Sequence, residues 1–299
     1  MQTQLRQAVV VAFGRTPYCK ARKGSFAQLH PVEYGAQTLL GVLARVPQLR
    51  PEDIGDVIMG CAMPFGVQGG NMARLIVQRA GLPDCVTAQT VNRYCSSGLQ
   101  TIATAANAIR CGEEDVVIAG GVESMSLVPM LVGAEDADPW LAEHRPEVYT
   151  TMGITAENVA RQWGISRADM DAMAVESHRR AAQAQAGGCF DGQIIPITVP
   201  GPDGGEVVVC RDEGIRPGTT AETLAGLKPC FLENGSVTAA TSSQMTDGAG
   251  FVVLMSEEKA AELGVKPLAR FVSFATGGVP AEVMGVGPIE AVPKALRKA

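Results

Sequence analysis

No apolar run in these 299 residues reaches the length needed to cross a membrane. The opening stretch, Met1 to Leu5, is too polar for a secretory leader. Eight cysteines are scattered with no Cys-x-x-Cys pair and no Cys/His cluster, so neither a zinc site nor a disulfide framework is expected. A basic stripe is also missing. The net charge of -6 argues against a nucleic-acid surface, since few cations are available to neutralise phosphates, although local arginines can still hold an anionic small molecule. There is no Ser/Gly/Pro linker, low-complexity tract or short repeat. These absences describe a soluble, cytoplasmic protein from a reducing compartment, with no membrane or nucleic-acid partner.

What is present is a globular composition, with 46% hydrophobic and 19% charged residues, in a chain long enough for one large domain or two smaller ones. Thirty-four glycines suit many tight turns between strands and helices. Short apolar runs (AVVVAF, IGDVIMG, TAQTVN, DVVIAGG) alternate with helical periodicity in VEYGAQTLLGVLARV, NMARLIVQRAG and SSGLQTIATAANAIRCG. This alternation predicts an α/β fold of βαβ units with a parallel or mixed sheet and helices on both faces. Asn71 is the expected N-cap and Gly81 the C-cap of the second helix.

From about residue 126 to 235 the pattern is more polar and irregular. It reads as an inserted loop domain with helices at MGITAENVARQWG and at SRADMDAMAVESHRRAAQAQAGG (N-cap Ser166), and with short strands at IIPITV and EVVVCRD. The α/β pattern resumes with SVTAATSSQMTDGAGFVVLMS as strand, turn and strand. EEKAAELG then reads as a helix, LARFVSFATGGV as a strand and GPIEAVPKALRKA as a helix. The expected organisation is one half from 1–125 and 236–267, a loop domain at 126–235, and the start of an incomplete second half at 268–299.

Cys95 carries the clearest chemical signal. It lies in NRYCSSGLQ, between a strand ending at Val91 or Asn92 and a helix starting near Ser96. There a thiol sits in the positive end of the helix dipole beside free backbone N–H groups, a setting that favours the nucleophilic thiolate. The other reading is a buried small hydrophobe, as most cysteines are. The small residues Ala103, Ala105, Ala106 and Ala108 allow close packing, either inside the fold or against the same helix of a second copy. His30, His144 and His178 read as surface or packing residues, and Cys61, Cys85, Cys111, Cys189, Cys210 and Cys230 as structural or incidental.

The segments NRYCSSGLQ and AGGVESMS, at this separation, resemble the nucleophile region of thiolases, and four further segments follow in that family's order: TMGITAENVA, DEGIRPGTTAETLAGLKPCF, GSVTAATSSQMTDGAG and MGVGPIEAVPKAL. The resemblance covers essentially the whole chain and is nearest to the degradative 3-ketoacyl-CoA thiolase or acetyl-CoA acyltransferase group. It implies the layered thiolase-like α/β fold and cleavage of 3-ketoacyl-CoA, or the reverse condensation, through an acyl-Cys95 intermediate. That chemistry would belong to fatty-acid β-oxidation. It also implies Met152 lining the pocket beside the nucleophile, Arg216 near the CoA nucleotide, Thr223 near the adenine and Ser243 at the pantetheine arm. TSSQ stands where many thiolases carry Asn-Ala-Ser-Gly, with the serine kept. CoA would be a substrate, with no cofactor or metal, and the assembly a homodimer or homotetramer. A related condensing enzyme such as a ketoacyl synthase shares the cysteine at a helix start, but NRYCSSGLQ and GGVESMS favour the thiolase resemblance.

The family completes its site with an Asn-Glu-Ala-Phe segment, a Gly-His-Pro histidine and a second cysteine in a Cys-x-Gly-Gly-like loop, and none of these occurs before Ala299. The chain therefore reads as C-terminally truncated relative to the family, completed by a further polypeptide or else inactive or merely acyl-CoA-binding. Of the mechanism's parts it supplies the nucleophile, one oxyanion donor (the Cys95 backbone N–H) and most of the CoA cradle. Losing a single oxyanion donor typically costs about a hundredfold or more in rate. A polypeptide of these 299 residues alone is expected to cleave acetoacetyl-CoA poorly. Measurable turnover that disappears in Cys95→Ala would overturn that expectation.

Overall fold

The eight residues AVVVAFGR are apolar enough to be buried on both sides, and they form β1 (Ala8–Arg15). The computed structural model describes residues 5–130, 136–201 and 203–299. β2 (Cys19–Lys20), β3 (Asp56–Gly60), β4 (Thr87–Val91), β5 (Val116–Glu123), β8 (Thr246–Ser256) and β9 (Ala269–Arg270) join β1 in a seven-stranded sheet of order β4-β3-β5-β8-β1-β9, with β2 paired to the start of β8. β3 runs parallel to β4 and β5, whereas β8 runs antiparallel to both β5 and β1, so the sheet is mixed.

Helices α1 (Pro31–Leu43) and α2 (Met72–Arg79) cover one face, burying Tyr34, Leu39, Val42, Met72 and Ile76 against Val57, Met59, Ile118 and Phe251. The sequence sets their ends. His30 accepts the Val32 N–H ahead of Pro31 in α1, and Asn71 accepts the Arg74 N–H in α2. Gly81, just past α2, takes the left-handed φ of +70°. The opposite face belongs to α3 (Ser97–Cys111), whose Ala105, Ala106 and Ile109 pack on Ile58, Val117, Ala119 and Leu254. Ala103, Ala105 and Ala106 of α3 are thus used inside the fold, where small side chains bring the helix close to the sheet.

The chain divides into two compact units, one of residues 1–130, 191–214 and 245–271 and the other of 131–190, 215–244 and 272–299. Two segments depart from the sequence-based boundaries. The hairpin of β6 (Ile197–Pro200) and β7 (Glu206–Val209) belongs to the first unit, because Ile197, Val199 and Val209 are buried in its core. Residues 272–299 belong to the second, where the Ser273 hydroxyl donates to the Ala295 carbonyl. That unit carries α4 (Pro139–His144), α5 (Met152–Trp163), α6 (Arg167–Ala186), α7 (Ala221–Ala225) and α9 (Gly287–Lys298), while α8 (Glu257–Glu262) caps the first. Ser166 and Asp169 form the capping box that starts α6. On α9, Ile289, Val292 and Leu296 form an exposed apolar row.

Two expected strands are much reduced. Residues 236–245 form no ladder, because Thr238 and Thr241 exchange side-chain and backbone hydrogen bonds and the Ser242 hydroxyl donates to the Thr238 carbonyl (2.7 Å). Such local bonds compete with strand pairing. LARFVSFATGGV forms a ladder at Ala269 and Arg270, opposite Val10 and Val9, flanked by the Leu268 and Phe271 N–H groups donating to the Val10 and Ala8 carbonyls. Its partner begins at Ala8, so the ladder runs out.

The approach of α3 to the sheet depends on glycine. A Cβ on Gly60 would lie 2.6 Å from Ser97 Cβ and 2.7 Å from the Ser97 carbonyl carbon, whereas one on Gly98 would meet nothing within 4 Å. Gly60→Ala is therefore expected to destabilise the protein by about 1–3 kcal/mol in urea unfolding, and Gly98→Ala to be neutral or slightly stabilising. Equal effects of the two would refute the steric account.

Candidate active site

The strand-to-helix turn at Asn92–Ser97 is held by its own polar groups. Tyr94 has a φ of +46°, a left-handed conformation that bulky residues rarely adopt. The Asn92 side-chain oxygen accepts the Tyr94 N–H at 2.8 Å, and the Ser97 hydroxyl accepts the Arg93 N–H at 2.8 Å while donating to the Tyr94 carbonyl at 2.6 Å. The Ser96 hydroxyl donates to the Arg93 carbonyl at 2.9 Å. Cys95 is exposed between these anchored neighbours, and among the described residues its thiol has no hydrogen-bond partner. Ser96 is the N-cap of α3 but its side chain does not cap the helix. The Ser97 N–H donates to the Tyr94 carbonyl at 3.0 Å, and the Gly98 and Leu99 N–H groups that follow keep the positive character of a helix start.

A second feature, with no mark of its own in the sequence pattern, is a carboxylate at the end of β5. Glu123, the last residue of β5, accepts from the Ala62 N–H at 2.7 Å, the Met63 N–H at 3.3 Å and the Gln68 amide at 2.8 Å, with the Cys61 thiol 3.8 Å away. Burial, then the neighbouring Glu123 charge, push the Cys61 thiol up to about 12, so it stays protonated and unreactive. Cys19 is likewise buried and pushed up, first by burial and then by Glu213. The remaining cysteines are exposed.

The structure places Cys95 in the first unit and Met152, Arg216, Thr223 and Ser243 in the second. Met152 opens α5 and is 44% exposed. Arg216 is exposed, with its backbone N–H donated to His178 Nδ1 at 3.2 Å. The hydroxyl of Thr223 is taken up in the capping box of α7 with Thr220, and Ser243 is exposed. Glu157 was not singled out by sequence. Buried on α5, it accepts the N–H groups of Ser236 and Val237 and the Ser236 hydroxyl, and so ties Met152's helix to the loop that leads to Ser243. Its local signature is no more than an acidic residue in the second turn of a helix of otherwise mixed character. Just before Arg216, Asp212 pairs with both terminal guanidinium nitrogens of Arg15 (2.7 and 2.9 Å), and Glu213 accepts from Lys20 and Ser25, anchoring that segment in the first unit.

All three histidines have local structural roles. His30 caps α1, His144 stacks on Trp140 with ring centroids 4.6 Å apart, and His178 accepts from the backbone. Among the described residues no group of His, Cys, Asp and Glu could hold a metal ion, and no helix is long and apolar enough to cross a membrane. A concavity beside the far end of α3 is lined by Asp56, Gln89, Asn107 and Glu114. Its acidic lining is unsuited to an anionic ligand, and burial followed by the charges of Asp56, Asp115 and Glu113 raises the Glu114 carboxyl.

The architecture is thus a mixed-sheet α/β protein presenting one exposed thiol at a helix start. Its relatives are specific. The profile of the family described as Thiolase, N-terminal domain, matches residues 8–258. The chain is 50% identical to the 3-ketoacyl-CoA thiolase of Bacillus subtilis (strain 168), over 99% of this chain and 77% of that protein. It is 44% identical to the peroxisomal 3-ketoacyl-CoA thiolase A of Mus musculus, over 100% of this chain and 71% of that protein. The crystal structure of the Bacillus anthracis acetyl-CoA acetyltransferase superposes with a TM-score of 0.90 at 39% identity, covering 99% of this chain and 77% of that one. The chain belongs to the thiolase family.

The Glu157 carboxyl gives the stability of the second unit a pH dependence. Burial pushes it up, but the Ser236 and Val237 N–H groups and the Ser236 hydroxyl outweigh that and hold it below its ordinary 4.5. A depressed carboxylate contributes stability that is full above its unfolded-state value and lost as pH falls through the folded one. Glu157→Gln should therefore destabilise the protein at neutral pH, with the gap to wild type closing as pH drops below about 4.5. Urea unfolding at both ends of that range checks this, and a pH-independent gap would refute it.

Proposed function

We propose that the chain is a thiolase-type acyltransferase acting on 3-ketoacyl-CoA through an acyl-Cys95 intermediate. The carrying observation is the exposed Cys95 thiol at the uncapped start of α3, in a chain of this family. The Cys95 thiolate attacks the 3-keto carbon. The bond between C2 and C3 breaks, the acetyl-CoA carbanion takes a proton, and CoA thiolate then attacks the acyl-Cys95 thioester to release a shortened acyl-CoA and free the cysteine. The Cys95 N–H, one residue ahead of the N-cap of α3, is the donor suited to the developing oxyanion.

CoA is bound as substrate, and no further cofactor or metal takes part. Arg216, exposed and outside every ion pair among the described residues, offers a guanidinium fork to a phosphate of the nucleotide. Because the Thr223 hydroxyl is engaged in the α7 cap, its methyl group is what it presents to the adenine. Ser243 offers an exposed hydroxyl to the pantetheine arm, and Met152 an exposed, pliant side chain to the acyl pocket. The reading includes a role in β-oxidation, a cytoplasmic site and a homodimer or homotetramer. His30, His144 and His178 are each engaged locally, and none is assigned as the base.

The first half-reaction isolates the claim. Exchange of an acetyl group from acetyl-CoA onto Cys95 forms one S–C bond, breaks another and leaves CoA thiolate. Incubation with acetyl-CoA at mildly alkaline pH is expected to add one acetyl group to the peptide carrying Cys95, reversibly on addition of CoA, with no such adduct in Cys95→Ala. A folded protein that shows no Cys95 adduct would refute the assignment.

A further inference from the structure

We propose that Glu123 is a positioning residue for Cys95, acting through a relay of hydrogen bonds that holds the nucleophile turn in its left-handed conformation. The proposal rests on Cys95 being the reacting thiol. Glu123 and Cys95 sit at the ends of β5 and β4, with β3 between them in the sheet. Their connection runs through the segment that leaves β3. Glu123 Oε2 accepts the Ala62 N–H at 2.7 Å. The Ala62 carbonyl accepts the Asn92 side-chain amide at 3.1 Å, and the Cys61 N–H donates to the Val91 carbonyl at 3.1 Å. Asn92 Oδ1 then accepts the Tyr94 N–H at 2.8 Å, beside the thiol.

Each link uses both ends of a polar group. The amide of Asn92 is oriented by donating to Ala62, which turns its oxygen toward Tyr94. The φ of +46° at Tyr94 is costly for a tyrosine and persists only if its surroundings over-determine it. The relay supplies that constraint from the strand side, and the Ser97 hydroxyl supplies it from the helix side.

Glu123 is built for this task. Half-buried, it forms no ion pair among the described residues, and its donors come from one short segment, Cys61 to Gln68. Gln68 is fully buried and reinforces the arrangement, donating to the Met63 carbonyl at 2.9 Å and accepting the Ser124 N–H. A carboxylate that gathers several backbone N–H groups makes stronger bonds than a neutral acceptor would. Glutamine in its place offers only one acceptor oxygen, and its NH₂ group faces other donors.

The test reads the thiol itself, independent of turnover. Purified protein is alkylated with iodoacetamide from neutral to alkaline pH, and the rates at Cys95 and at exposed Cys85 are followed separately by peptide mass spectrometry. Glu123→Gln is expected to lower the Cys95 rate at neutral pH about tenfold and to leave Cys85 unchanged. Asn92→Ala, an exposed position that tests the relay if the Glu123 variant does not fold, should do the same. The double variant should be no worse than the worse single one, because both changes cut one chain. Unchanged Cys95 alkylation in folded Asn92→Ala or Glu123→Gln would overturn the proposal, as would multiplicative effects in the double variant. Absence of Cys95 acetylation in the wild type would count against the acyltransferase reading while leaving this outcome readable.

Discussion

The close contact between the end of β3 and the first turn of α3 governs the rest of the structure. Gly60 leaves room for Ser97 at a separation no side chain could tolerate, and Gly121 next to it brings Gly98 within ordinary contact of where its Cβ would be. With the helix start pressed onto the strand ends, the chain between β4 and α3 has no slack. It turns through a left-handed Tyr94 and pushes Cys95 outward into solvent. The same closeness explains the alanines of α3, since larger side chains at Ala105 or Ala106 would lift the helix off Ile58 and Val117.

Polar groups at the strand ends turn this packing into a site. Glu123 finishes β5 and gathers the segment beyond β3, while Asn92 finishes β4 and holds Tyr94. In the second unit Glu157 plays a comparable part, since one carboxylate gathers the N–H groups of Ser236 and Val237 and thereby orders the approach to Ser243. Arg15 and Asp212 close a third such junction. In each case an ionised side chain satisfies groups that a loop would otherwise leave without partners, which is how irregular segments are held without a core of their own. The thiols beside such carboxylates, Cys19 and Cys61, are buried and kept protonated.

Much of this was open to reading in the sequence. The strand and helix at Val91 and Ser97, the caps at Asn71 and Ser166, and the apolar runs of β1, β3 and β5 each follow from local pattern and chemistry. So does Cys95, since a thiol between a strand and a glycine-containing helix start is a local motif. The failures share a cause. Residues 236–245 look strand-like by composition, yet their threonine and serine hydroxyls bond their own backbone. LARFVSFATGGV has the apolar content of a strand but is bonded to β1 only from Leu268 to Phe271. The β6–β7 hairpin looks like part of an insertion but buries Ile197 and Val199 in the first unit's core.

The sequence by itself determined the α/β alternation, the element ends and the thiolase motifs, because propensity, capping and periodicity act over a few residues. Only the tertiary structure decided which strands lie side by side, which carboxylates hold which loops, and which two cysteines are buried. Those outcomes depend on contacts between residues far apart in the chain: Glu123 with Ala62, Glu157 with Ser236, Arg15 with Asp212. A carboxylate that anchors a distant loop has the same local sequence signature as one that is merely solvated, and packing alone tells them apart.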